Sequence, residues 1–219
     1  MVAKNQKEKP REVKLFIEGG GDSASQQRKF RENFHKLLSK AGFKGRSRPS
    51  ILACGGRNFA YKDFCSYPKV NPLGHGILLV DSEAPVDVNT KSPWEHLKTR
   101  DGWSQPPNAS DEQCHLMVQC MEAWFIADSE ALKIFYGPLF KENKLPKRSD
   151  VENISKASLF SSLEAATREC NPKGSYSKGK HSFDLIGRIN PDKIRAVSDC
   201  AERFFSTLEE VMKQHRQEG

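Results

Sequence analysis

The sequence predicts an α/β fold: a mostly parallel sheet flanked by helices, with a helical C-terminal extension. Three observations carry this. Short apolar runs rich in β-branched residues occur at Val13–Glu18, Ser50–Cys54 and Gly76–Val80. Stretches with helical spacing of apolar residues lie between or beside them. Each run ends in glycines or acidic residues, which stop a strand. Strands alternating with helices in this way read as βαβ units with a parallel sheet.

The elements follow in order. Residues 1–12 form a charged tail without the apolar stretch of a signal peptide. After the first strand, Gly19-Gly20-Gly21 makes a tight turn. A helix is expected from Ser25 to Lys40, with Phe30, Phe34, Leu37, Leu38 and Ala41 on one face and Gly42 at its C-terminal cap. The second strand runs into Gly55-Gly56-Arg57, and a short helix is expected over Asn58–Cys65. The third strand ends at Asp81, and Ala84 to Ser92 is a loop. Ser92-Pro93-Trp94-Glu95 reads as a capping box with proline at the first helical position. His115–Gln119 reads as a fourth strand and Glu122–Tyr136 as one helix closed by Gly137-Pro138. The core is thus assigned to residues 13–137 and the helical extension to 138–219. In the extension, Leu159, Phe160, Leu163 and Ala166 mark one helix. A last helix is expected over Pro191 to Gln214, with Ile194, Val197, Ala201, Phe204, Phe205, Leu208 and Val211 on one face.

Composition narrows the class. A chain of 219 residues fits one α/β domain with a modest extension. The net charge of +7 favours an anionic partner. Six cysteines show neither a CxxC pair nor a Cys/His zinc spacing. They read as reduced, buried thiols, so a cytoplasmic protein is expected. No apolar run approaches a membrane-spanning length.

The chemistry-bearing residues gather at strand ends. Glu18 follows the first strand, and Asp81-Ser82-Glu83 closes the third. Alternation along a strand end would point Asp81 and Glu83 the same way. Carboxylates at the carboxyl ends of parallel strands sit where α/β sheets place their active sites. Three such groups repel one another unless a hard divalent cation neutralises them, which predicts Mg²⁺ or Mn²⁺. Each motif also has a plainer reading as a turn or the start of a solvated loop. The glycines lack the lysine and spacing of a Walker A loop, and G-x-G-x-x-G is absent.

Glu122 reads either as a first-turn acid favoured by the helix dipole or as a further metal ligand. Asp128 reads as structural, and Trp124 and Phe125 as core. Lys178, Lys180 and His181 lie in a polar loop, and Arg57 follows two glycines. These four are candidates for contact with a nucleic-acid phosphate, with Lys180 first among them as a catalytic residue. Their plainer reading is a solvated charged surface. His35, His75, His96 and His115 have no metal-ligand spacing and read as structural.

A strand ending in Glu18-Gly19, then a strand ending in Asp81-x-Glu83, resembles the Toprim domain of topoisomerases, primases and OLD-type nucleases. That domain has a glutamate after its first strand and Asp-x-Asp after a later one; here Glu83 stands for the second aspartate. Most of the chain is similar to a compact bacterial family of Toprim-like proteins related to RloB. The likeness runs through Phe16-Ile17-Glu18-Gly19, Leu79-Val80-Asp81, Met121-Glu122-Ala123-Trp124-Phe125-Ile126-Ala127-Asp128 and Tyr176-Ser177-Lys178-Gly179-Lys180. The resemblance implies an anti-phage setting with an ABC-type ATPase partner. The expected function is a Mg²⁺-dependent nuclease acting on DNA or RNA. The alternatives are a non-catalytic module that binds nucleic acid or a partner, and a small phosphotransferase or phosphatase.

Overall fold

Four parallel strands form one sheet: β1 (Val13–Ile17), β2 (Ser50–Ala53), β3 (His75–Asp81) and β4 (Cys114–Met117), in the order β2-β1-β3-β4. The computed structural model describes residues 12–87, 89–90, 92–147 and 149–217. Most of the charged tail assigned to residues 1–12 therefore lies outside the described residues. The protein is α/β, an all-parallel sheet flanked by helices and followed by further helices.

The strands are apolar on both sides because both faces are covered. Leu15, Ile17, Ile77 and Leu79 face one buried cluster, while Phe16, Leu78 and Val80 face the other. Helix α1 (Ala24–Lys40) covers the first face. Ser23 caps it in a capping box with Gln26, and it buries Phe30, Phe34, Leu37 and Leu38. Helix α2 (Arg57–Val70) covers the second face together with α3 (Pro93–Asp101), whose N-cap Ser92 accepts from the Trp94 N–H. α2 outruns the helix expected at Asn58–Cys65. Tyr67 is buried against Phe16, ring centroids 5.1 Å apart, which holds another turn in place despite Pro68.

Beyond β4 the chain is helical: α4 (Glu122–Ala127), α5 (Ser129–Tyr136), α6 (Lys156–Thr167), α7 (Ser182–Leu185), α8 (Pro191–Arg195) and α9 (Asp199–Gln217). These helices share the first buried cluster with β1 and α1. Trp124 is its largest fully buried side chain and meets Phe34, Phe204 and Phe205.

Two expected helices are each divided. Asp128 breaks the run from Glu122 to Tyr136 with non-helical geometry, φ −123° and ψ 72°. Its carboxylate caps α5 through the Ala131 N–H (3.3 Å) and also accepts from the Asn190 N–H (2.9 Å) and Lys193 (2.7 Å). Asp128 is thus structural. The expected helix from Pro191 to Gln214 is interrupted after Arg195. Ser198 caps the continuation through the Ala201 N–H and donates to Glu152 at 2.5 Å.

Two glycine loops meet at the carboxyl end of the sheet. Gly19 and Gly55 exchange backbone hydrogen bonds, each 2.8 Å. Gly20 has φ +95°, and a Cβ there would lie 2.9 Å from the Ala53 Cβ. Gly55 has φ +68°, and its Cβ would lie 3.0 Å from the Gly21 carbonyl. Side chains are excluded on both counts, so the loops close tightly beside Glu18.

Candidate metal centre

The register of the sheet brings the acidic residues together. Ile17 pairs with Leu79, so Glu18 and Asp81 emerge from neighbouring strands at the same end. The Glu18 N–H bonds to the Leu79 carbonyl at 3.0 Å, and Glu18 Oε2 accepts from the Asp81 N–H at 3.1 Å. Glu83 lies beyond β3 at φ +63°, outside strand geometry. It joins the centre by its backbone pairing to the Gln119 carbonyl (2.8 Å) rather than by strand alternation. One carboxylate oxygen from each of Glu18, Asp81 and Glu83 lies within 4.8 Å of the others.

Each carboxylate has a cationic neighbour. Arg57 donates to Glu18 at 3.2 Å, to the Asp81 carbonyl, and to Asp101 at 2.5 Å, with its guanidinium over the Trp103 ring. Lys178 Nζ stands 3.8 Å from Asp81 Oδ2. Lys156 bonds Glu83 at 2.6 Å, and Arg100 lies 3.9 Å from it. The compensation is unequal. Burial pushes the Asp81 carboxyl well above its ordinary value, and Glu18 and Glu122 push the same way, against Lys178 and the Met121 N–H. Burial raises Glu18 as well, in spite of Arg57. At Glu83 burial is outweighed by Lys156 and Arg100, which hold its carboxyl below the usual range.

Glu122 stands behind the centre and is fully buried. Its Oε1 accepts from the Tyr176 hydroxyl at 2.7 Å, while Oε2 is buried without a partner. It is not at the rim, and it stands outside the trio that shares the 4.8 Å spacing. A cavity of about 280 Å³ opens onto the centre, walled by the two glycine loops, Met121, Lys178, Ser182 and Phe183.

The basic candidates separate on inspection. Arg57 is nearly buried and turns Nη1 to Glu18 and the Asp81 carbonyl and Nη2 to Asp101, so it supports the centre from behind. Lys178 reaches Asp81 with half its side chain exposed. Lys180 is exposed and makes no ion pair with the three carboxylates. The lysine of this loop that reaches the centre is therefore Lys178, not Lys180. His181 is buried, with Nδ1 bonded to the Tyr136 hydroxyl (3.1 Å) and the Ser177 N–H (3.3 Å). It shapes the loop and presents no ring to a strand outside. All six cysteines are free thiols, and burial pushes Cys54 up to about 12.

Four residues near the centre carried no signal that sequence reading could use. Asp101, Lys156 and Arg100 reach it from helices distant in sequence. Phe59, 63% exposed, sits beside Gly56 at the cavity's edge.

Compared with known proteins, residues 18–209 match the model of a domain of unknown function, DUF4276. No curated protein and no solved structure matches the chain. The match begins at Glu18, takes in all three carboxylates and ends within α9. The chain belongs to the DUF4276 family.

Proposed function

We propose that the chain is a Toprim-like, divalent-metal-dependent nuclease that cleaves phosphodiester bonds in DNA or RNA. One observation carries the reading: Glu18, Asp81 and Glu83 converge at the carboxyl ends of β1 and β3, with oxygens within 4.8 Å of one another. The donor set suits Mg²⁺ or Mn²⁺, since every ligand is a hard carboxylate oxygen. Burial first, and neighbouring carboxylates next, disfavour the charged forms of Asp81 and Glu18 in spite of Lys178 and Arg57, and a bound cation would favour them.

In this reading Glu18, Asp81 and Glu83 hold the metal. Arg57 fixes the Glu18 carboxylate, and the Met121 N–H fixes Asp81 through a 2.9 Å bond to Oδ1. Lys178 leaves Asp81 to meet the scissile phosphate. Glu122 and Tyr176 back the centre. A bound divalent ion would lower the pKa of a water and balance charge on the phosphate oxygens.

A second reading has its own support. Arg57, Lys178 and Lys156 pair one to one with the three carboxylates, so the centre could be an ion-pair network inside a binding module that cleaves nothing. An ABC-type ATPase partner and a role in anti-phage defence suit either reading and rest on the Toprim-like resemblance alone.

The readings part on a simple assay. Purified protein is incubated with DNA and RNA strands, with EDTA or with millimolar Mg²⁺ or Mn²⁺, with and without a co-expressed ATPase. Cleavage that requires the metal is expected. Binding without cleavage under every condition supports the second reading. No helix among the described residues is long and apolar enough to cross a membrane.

A further inference from the structure

We infer that the cleft between α1 and the start of β2 binds the phosphate backbone of a nucleic-acid strand, outside the carboxylate centre. The cleft has a volume of about 370 Å³ and is lined by Arg28, Arg31, Glu32, His35, Arg48 and Ser50 among others. Three guanidinium groups thus face one carboxylate. Glu32 lies 3.8 Å from Arg28, but both side chains are mostly exposed, so that pair neutralises little. Arg31 and Arg48 make no ion pair among the described residues. Arg57 and Arg195, by contrast, each have two carboxylate partners.

Two polar atoms in the same cleft are buried without a hydrogen-bond partner, His35 Nδ1 and Ser50 Oγ. His35 is hard to protonate because of burial, and next because of Arg48 and Arg31, whose fields converge on the ring. Uncompensated positive charge of this kind is self-repelling, and an anion relieves it. Guanidinium groups match phosphate in a bidentate fork.

The layout fits a chain of phosphates better than a single one. Arg28, Arg31 and His35 follow one side of α1 over about 10 Å, a distance longer than a single phosphate group. The first turn of α1 lies beside the carboxylate centre, while Ser50 begins β2 toward the other end of the sheet. Gln27, the residue before Arg28, lies with its Cα 3.3 Å from where a Gly20 Cβ would stand, and Gly20 lines that centre. That a strand in the cleft leads to the carboxylates rests on the proposed function; binding in the cleft does not.

The test is fluorescence anisotropy with the full chain and labelled single strands of DNA and of RNA, about 20 nucleotides long, in EDTA across a salt series. Working in EDTA separates binding here from any metal-dependent cleavage, which the nuclease assay reads on its own. Wild type should bind with a steep salt dependence. Arg31→Gln/Arg48→Gln should bind about 10-fold more weakly at low salt, with the slope of log K against log salt flattened by about 1.4 for two lost phosphate contacts. In wild type, adding strand should shift the His35 imidazole signals by NMR. Several results would overturn the inference: no binding by wild type, unchanged affinity and slope in the double variant, or weaker binding with an unchanged slope. Equal competition by polyglutamate would overturn it too, since the cleft would then read acidic peptide and not nucleic acid.

Discussion

Asp81→Asn is expected to abolish metal-dependent cleavage while making the metal-free protein more stable at neutral pH. Asn keeps an oxygen for the Met121 N–H, which bonds Asp81 Oδ1 at 2.9 Å. Asp81→Ala would leave that buried N–H without an acceptor, at about 1–3 kcal/mol. What Asn removes is the charge, and with it a metal ligand. Turnover should fall by at least about 10²-fold, the scale on which a single transition-state-stabilising group acts.

The stability side follows from the sign of the pKa shift. Asp81 is raised well above its ordinary 3.8, first by burial and then by Glu18 and Glu122. Between the unfolded and the folded pKa, the native state holds a proton that the unfolded state has lost. Stability therefore falls as pH rises through that window. Glu18, also raised, adds to the fall. Metal-free wild type should lose stability from about pH 4 toward neutrality, and Asp81→Asn should flatten the profile. Thermal melts in EDTA from acid to neutral pH read this directly. A variant that melts below wild type at pH 7, or one that still cleaves, would contradict the assignment.

Arg57→Ala is expected to cost the largest loss of stability of any change at the centre. The guanidinium is 14% exposed and serves two carboxylates, Glu18 and Asp101, that are themselves only 15% and 12% exposed. Removing it leaves Glu18 with the Asp81 N–H alone, while Asp101 keeps Arg100, at about 3–5 kcal/mol, or roughly 6–20 °C in Tm for a chain of this size. Arg57→Lys should recover little, because one ammonium cannot fork between Glu18 and Asp101 while lying on Trp103. Mg²⁺ should restore part of the loss by neutralising Glu18. Calorimetry with and without Mg²⁺ checks both statements. A loss below about 1 kcal/mol would class these as surface pairs and detach Arg57 from the centre.

Much of the frame was legible in the sequence because continuous apolar runs and abrupt polar ends are local signals. The strands, α1 and the positions of Glu18 and Asp81 all follow from them. What was not legible depends on distant partners. The amphipathic spacing passes through Asp128 and Ser198 without a break, and only their capping bonds to Ala131 and Ala201 divide the helices. Lys178 and Lys180 are alike in composition, and the loop's path decides which of them reaches Asp81. His181 sits among polar neighbours in sequence, yet Tyr136 and Phe135 enclose it. Glu122 reads as a first-turn acid and is buried behind the centre by Tyr176, a residue from the loop before α7. Lys156 and Asp101 have no local mark at all, since their roles are set by carboxylate and guanidinium partners far along the chain.

The most direct test of the centre is to locate a metal in it. Crystals of the protein grown or soaked with Mn²⁺ give an anomalous signal for that ion. One strong peak is expected between β1 and β3, coordinated by oxygens of Glu18, Asp81 and Glu83, with Lys178 displaced from Asp81. No peak there at saturating Mn²⁺, with Lys178 and Lys156 still paired to Asp81 and Glu83, would contradict the metal centre and leave an ion-pair network in its place.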